Sequence, residues 1–242
     1  MRCERPCSTH RRMISGMQAE CIRICLANGP SVSGLLAAPV DARAMLVFAH
    51  GAGAGMTHSF MEAVAQALAE RRVATLRFNF PFMEFLSGKR WGRPDPPAVA
   101  HAAIRAAAAY AHERASGLPL FVGGKSFGAR MTSEAQAQTP IENARGLILV
   151  GFPLHPAKKP STSRGDHLSQ VRAPMLFLQG ARDALADVSL MAEVCGKLPT
   201  ATLQVIESAD HSFAAPVRSG RTQQQIIEEI SETIAHWIRL HA

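Results

Sequence analysis

Six short apolar runs recur along the chain, with a helical pattern in all but one of the intervals between them: residues 44–49 (AMLVFA), 73–78 (VATLRF), 120–123, 146–150 (GLILV), 174–179 (PMLFLQ) and 202–207 (TLQVIE). The first of them is apolar without interruption, as expected of a strand covered on both faces. Helical patterns fill the intervals at 59–71, 98–115, 127–138 and 188–197. Residues 79–97 read as a long ordered loop over one end of the sheet, and 151–172 as a loop too polar and proline-rich for a helix of any length. A last helical pattern closes the chain at 222–240. In that last stretch Ile226, Ile227, Ile230, Ile234, Trp237 and Ile238 recur at helical spacing. Strand and helix in alternation predict an α/β fold, a mostly parallel central sheet with helices on both faces. Ahead of it, 21–26 and 32–38 read as a hairpin around Asn28-Gly29-Pro30-Ser31. No repeat or linker interrupts 18–242, which is expected to form one domain. Residues 1–17 are polar, basic and aperiodic and read as a disordered tail.

The bulk numbers exclude several classes. With 242 residues, 47% hydrophobic and 19% charged, the chain carries enough apolar material for a substantial core. Its net charge of +7 could suggest nucleic acid, but Arg2, Arg5, Arg11 and Arg12 against Glu4 put a net +3 into the first twelve residues alone. No basic stripe interleaved with aromatics follows, so nucleic-acid binding is not expected. No run of eighteen apolar residues is present to span a membrane. Five cysteines without a secretory signal suggest reduced thiols and a cytoplasmic setting. Cys3 and Cys7, like Cys21 and Cys25, are four residues apart, which invites a zinc reading. In a strand that step leaves the second pair of sulfurs far apart, so no metal site is expected.

Chemistry in a parallel sheet gathers at the carboxyl ends of its strands. Four suspicious segments lie there: the side-chain-poor loop 50–55 (HGAGAG), the turn Gly124-Lys125-Ser126-Phe127-Gly128, Asp183 and His211. The turn fits Gly-x-Ser-x-Gly, which lifts a serine hydroxyl out of the sheet on a sharp strand-to-helix corner. A serine is a poor nucleophile at neutral pH and needs a base within hydrogen-bond reach, itself oriented by a carboxylate. Ser126, Asp183 and His211 follow one another in the order an α/β-hydrolase arrangement requires, each just after a strand end. Asp187 is a rival acid; Asp210, adjacent to His211, reads as a turn or capping group, and Asp166 follows the wrong strand. An oxyanion hole would take one amide from Phe127 and a second from Ala52 or Gly53. The glycine run lacks the Gly-Lys-Ser/Thr ending of a phosphate loop. His50, Gly51, Gly53, Arg77, Asn79 and Lys125 are candidates for supporting the site. Arg77, Asn79, Arg93, Asp95 and Arg130 are expected to form a buried polar cluster. The substrate lining is expected from 80–91 and 152–166.

These segments together with Arg77-Phe78-Asn79-Phe80-Pro81-Phe82, Pro94-Asp95 and Leu178-Gln179-Gly180-Ala181-Arg182-Asp183 resemble a small α/β-hydrolase family, described as dienelactone-hydrolase-like. It is similar also to the hydrolase-like domain of a chromatin-acetylation complex subunit and its testis-expressed relative. The resemblance spans about residues 20 to 240. It implies an α/β-hydrolase fold without a large cap domain, with nucleophile, acid and base at Ser126, Asp183 and His211. Two departures stand out. Ala129 replaces a frequent second glycine, and dienelactone hydrolases proper carry a cysteine where this chain has Ser126. The expected function is a serine hydrolase that cleaves a small ester, thioester or related acyl substrate through an acyl-enzyme, with no metal and no organic cofactor. Because some relatives are complex subunits, the alternative is a binding or scaffold subunit that keeps the fold and not the chemistry.

Overall fold

The computed structural model describes residues 11–14, 17–27, 29–84 and 93–242. Among the described residues nine strands form one sheet: β1 (Arg11–Ile14), β2 (Met17–Ile24), β3 (Val32–Ala37), β4 (Ala44–Ala49), β5 (Val73–Phe78), β6 (Leu120–Lys125), β7 (Ala144–Val150), β8 (Met175–Gly180) and β9 (Ala201–Ile206). Their order is β1-β2-β3-β5-β4-β6-β7-β8-β9. The pairs β1–β2, β2–β3 and β3–β5 are antiparallel, and every pair from β5 across to β9 is parallel. Five helices follow the expected intervals: α1 (Ser59–Glu70), α2 (Pro97–Arg114), α3 (Phe127–Gln138), α4 (Val188–Gly196) and α5 (Gln223–His241). This is the α/β-hydrolase architecture, and no large cap domain stands over the sheet among the described residues.

Alternation along a single strand explains the two cores. Met45, Val47 and Ala49 of β4 face a cluster that holds the alanines of α2 with Ala129, Met131 and Ala135 of α3. Ala44, Leu46 and Phe48 face the opposite cluster, where Phe60, Val64 and Leu68 of α1 meet Ile226, Ile230 and Ile234 of α5. Successive strand residues point to opposite faces, so a strand covered twice must be apolar throughout. Arg71 fastens α1 to α5 through Glu228 at 2.6 Å and Glu232 at 2.9 Å. The start of α5 is fixed locally: Thr222 and Gln225 form a reciprocal capping box.

Two segments differ from the expectation. Within the stretch read as a tail, Arg11–Ile14 pairs with β2, Arg11 opposite Glu20 and Ile14 opposite Met17. A ladder of backbone bonds needs no side-chain period, and the open edge of β2 offers the donors and acceptors. Residues 1–10, with Cys3 and Cys7, lie outside the described residues, as do 85–92 of the expected loop 79–97. In the loop 151–172, expected to hold no helix of any length, Ser163–Gln170 winds as a 3-10 turn. Among the described residues no helix is long and apolar enough to cross a membrane.

Candidate active site

The corner after β6 is built under strain. Ser126 joins β6 to α3 at φ 52°, ψ −111°, a conformation that L residues rarely adopt. It is held from both sides: its N–H donates to Val150 O at 2.9 Å, and its carbonyl accepts from Arg130 N–H at 3.0 Å. Such a residue stores roughly 1–3 kcal/mol. The flanking glycines are required by close approach. A Cβ on Gly124 would stand 2.5 Å from Ala49 O and 2.8 Å from the Gly128 carbonyl carbon, and one on Gly128 would stand 2.5 Å from Ala49 O. Ala129, one residue further, is fully buried in the helix–sheet contact, which accepts its methyl.

Strand ends bring three distant side chains together at this corner. Ser126 Oγ lies 2.9 Å from His211 Nε2. His211 Nδ1 lies 2.8 Å from Asp183 Oδ2. A carboxylate only accepts, so the proton sits on Nδ1, and Nε2 is left to accept from the serine hydroxyl. The Asp183 side chain is wholly buried, whereas that of His211 keeps 24% of its surface exposed. The carboxylate is saturated further by Gln179 Nε2 on Oδ2 at 2.5 Å and by Leu185 N–H on Oδ1 at 2.7 Å.

The rival carboxylates are occupied elsewhere. Asp187 caps α4 by accepting from Ser189 N–H at 2.9 Å and Leu190 N–H at 3.4 Å. Asp210 accepts from Ser212 N–H at 2.8 Å and Ala214 N–H at 3.0 Å within its own loop.

The glycine-rich loop stands beside the serine. Gly51, Ala52, Gly53 and Ala54 line a cleft of about 340 Å³ together with His58, Met61, Lys125, Ser126, Leu185, His211 and Ser212. Phe127 opens α3, and the first amides of a helix have no carbonyl one turn back to take them. Its N–H and that of Ala52 are the candidate oxyanion donors. His50 fixes the loop from behind: its Nδ1 donates to Gly51 O at 2.7 Å, and its Nε2 accepts from Phe80 N–H at 3.0 Å. Burial lowers its pKa from 6.5 to about 4, only partly offset by the bond to Gly51. The ring also makes edge contacts with Phe80 and Phe82, which in turn pack on Phe127.

Lys125 reaches across to the base loop and donates to the His211 carbonyl at 2.9 Å, its ammonium 5.3 Å and 5.5 Å from the Phe60 and Phe213 ring centres. Burial lowers its pKa from 10.5 to about 8, against the opposing pull of Asp183 and Asp210.

The expected polar cluster does not assemble. Arg77 and Asn79 both bind the backbone of Met56, where Arg77 Nη1 donates to the carbonyl at 2.8 Å and Asn79 Oδ1 accepts from the N–H at 3.0 Å. Together they hold the end of the glycine-rich loop. Arg77 is fully buried, and its Nε and Nη2 have no partner among the described residues. Asp95 instead accepts from Phe82 N–H at 3.2 Å, with its pKa raised by burial. Arg130 pairs with Glu134 one turn along α3 at 2.6 Å, and Arg93 is exposed. Arg77 and Asn79, two positions apart at the end of β5, share a face and meet at Met56, whereas Asp95 and Arg130 belong to other segments and take partners there.

Of the expected lining, 85–91 lies outside the described residues, and Phe152 is buried against Phe177 and His167. His58, Met61, Leu185 and Ser212 of the cleft carried no sequence signal. A second serine–histidine contact, Ser133 Oγ to His167 Nε2 at 2.8 Å, lies within the α3 packing. Ser133 is fully buried and its hydroxyl is already committed to Arg130 O at 2.9 Å, so it is not placed to attack a substrate. Among the described residues no group of three His, Cys, Asp or Glu side chains gathers to hold a metal.

Comparison with known structures finds the same fold. A dienelactone hydrolase from Anabaena variabilis is 18% identical, covers 93% of this chain and 98% of its own, and superposes with a TM-score of 0.71. An alpha-beta serine hydrolase homologue from Coxiella burnetii is 21% identical over 89% and 97% of the two chains, with a TM-score of 0.68. Est1E from Butyrivibrio proteoclasticus with ferulic acid bound is 16% identical over 90% and 99%, with a TM-score of 0.70. The family description "Alpha/beta hydrolase domain" matches residues 42–239. That match takes in β4 through α5 and every side chain of the Ser126 cleft, and the chain belongs to this alpha/beta hydrolase family.

Proposed function

We propose that the protein is a serine hydrolase that cleaves small carboxylic esters, thioesters or related acyl compounds through an acyl-enzyme. One observation carries the reading: the unbroken line from Ser126 Oγ to His211 Nε2 at 2.9 Å and from His211 Nδ1 to Asp183 Oδ2 at 2.8 Å, open to a cleft at Ser126. In this reading Ser126 Oγ attacks the acyl carbon as His211 Nε2 takes its proton. The tetrahedral oxyanion forms between the N–H groups of Phe127 and Ala52. His211 then returns the proton to the leaving group, and water repeats the sequence to release the acid. Asp183 stays ionised and steadies the imidazolium. A serine hydrolase homologue and an esterase domain among the similar structures support the ester class. A cytoplasmic setting suits the cysteine usage.

The test is labelling with an active-site fluorophosphonate, followed by turnover of p-nitrophenyl esters of increasing chain length. Wild type should be labelled and turn over short esters, and Ser126→Ala should do neither. Equal labelling of the two proteins would overturn the assignment. Silence of the wild type toward both probe and esters would favour the scaffold alternative.

A further inference from the structure

Gln179 lies one residue before the end of β8, four positions ahead of the acid, and is fully buried. Its Nε2 donates to Asp183 Oδ2 at 2.5 Å, the same oxygen that takes His211 Nδ1 at 2.8 Å. The reverse orientation of the amide would set Oε1 against a carboxylate oxygen, so the network itself assigns it. In this orientation Oε1 is buried and has no partner among the described residues. A buried amide with half its capacity unmet is unfavourable, and an apolar side chain of like volume would fill the space without that penalty. Packing therefore does not account for glutamine at this position.

We infer that Gln179 is a positioning residue of the site, whose amide fixes the Asp183 carboxylate in the orientation His211 requires. Besides Gln179, that orientation is set by the turn from Gly180 to Asp183, closed by Asp183 N–H on Gly180 O at 3.1 Å, and by Leu185 N–H. Leu185 N–H restrains only Oδ1. Without Gln179, rotation about the carboxylate bond could carry Oδ2 away from His211 Nδ1. The turn also packs tightly on the base loop, since a Cβ on Gly180 would stand 2.5 Å from Ala209 O. A small tilt of Asp183 therefore reaches His211 directly. Among the described residues, the titratable groups acting on this carboxylate are His211, which it bonds, and the charged Lys125, which also feels Asp210.

This inference rests on the serine-hydrolase reading, and its test separates the two. Gln179→Met and Gln179→Glu are compared with wild type, with thermal melting to establish that each is folded. Gln179→Met should lower kcat for p-nitrophenyl acetate roughly 10- to 100-fold, the scale on which loss of the partner that orients a metal-ligating histidine acts, with KM within about twofold. The downfield proton resonance of His211 Nδ1–H should shift or broaden in that variant. Gln179→Glu is isosteric, and its protonated carboxyl can donate to Oδ2. At about pH 6 it should exceed Gln179→Met, and the margin should close toward about pH 8.5, where two adjacent carboxylates repel. A merely structural glutamine would leave the resonance in place and give both variants the wild-type pH profile, which overturns the inference. If wild type is never labelled at Ser126, the hydrolase reading falls. The resonance still decides whether Gln179 holds the Asp183–His211 pair.

Discussion

Lys125 Nζ and the carbonyl oxygen of His211 are joined by a hydrogen bond of 2.9 Å, so the residue before the proposed nucleophile holds the loop of the proposed base. Desolvation of an ammonium is unfavourable in itself, and it lowers the pKa of the half-buried lysine from 10.5 to about 8. Between those two values the unfolded chain binds the extra proton, so stability contributed by this group rises with pH across that window. Lys125→Met keeps an apolar stem beside the stacked Phe60 and Phe213 rings without the charge. It should melt no lower than wild type at neutral pH and lose the rise in stability above pH 8. Ester turnover should fall about tenfold as the His211 loop loosens. Melting across alkaline pH beside steady-state kinetics measures both.

Ser126 combines strain with the proposed role of nucleophile, and the two separate by mutation. Ser126→Ala keeps the strained backbone and removes the hydroxyl, so turnover should fall about 10⁴- to 10⁶-fold with little change in stability. Ser126→Gly removes the hydroxyl and relieves the φ of 52°. It should be equally inactive and about 1 kcal/mol more stable than Ser126→Ala. Urea unfolding of the two variants measures the difference, and equal midpoints would mean that the corner carries no strain.

Asp183 and Asp210 are both near His211 in the folded chain, but only one meets its ring. Asp183→Asn turns an acceptor into a donor opposite Nδ1–H and should force the wrong tautomer, lowering kcat about 10⁴-fold. Asp210→Asn keeps an oxygen to accept from Ser212 and Ala214 N–H and should remain within about tenfold of wild type. Steady-state kinetics on the pair would show the reverse ranking if Asp210 were the acid.

The apolar runs placed the six parallel strands within a few residues, since a doubly covered strand leaves a continuous signature in the sequence. Ser126, Asp183 and His211 were legible because each follows such a run. The choice between Asp183 and Asp187 had a physical basis that appears only with backbone geometry, where Asp187 turns back to cap α4. Gln179 stayed hidden, because a strand residue facing a turn four positions later leaves no pattern. His58 and Leu185 enter the cleft from loops whose course no periodicity dictates. Arg77 and Arg130 were grouped by composition, whereas one faces the loop at Met56 and the other pairs along its own helix.

His50 makes the glycine-rich loop sensitive to acid. Its ring must be neutral to accept from Phe80 N–H while it donates to Gly51 O. In the folded protein its pKa is about 4 against 6.5 for the free side chain, because burial disfavours the imidazolium. The unfolded chain therefore binds a proton that the folded chain refuses between those two values. The stability tied to this residue is fully present above pH 6.5 and is lost as pH falls toward 4, a swing of about 3 kcal/mol. Below that range the protonated ring can no longer accept from Phe80, and the loop carrying Ala52 comes free. His50→Gln has no such titration. It should be less stable than wild type at neutral pH, by about 1–3 kcal/mol for imperfectly replaced buried bonds, yet lose less on acidification. Asp95, whose pKa is raised by burial, acts in the opposite sense and is common to both proteins, so it cancels in the difference. Urea midpoints of the two proteins from neutral to acid pH measure that difference, and it should narrow as pH falls through the window. Parallel curves would mean that His50 is charged in both states across the window, and would overturn its lowered pKa.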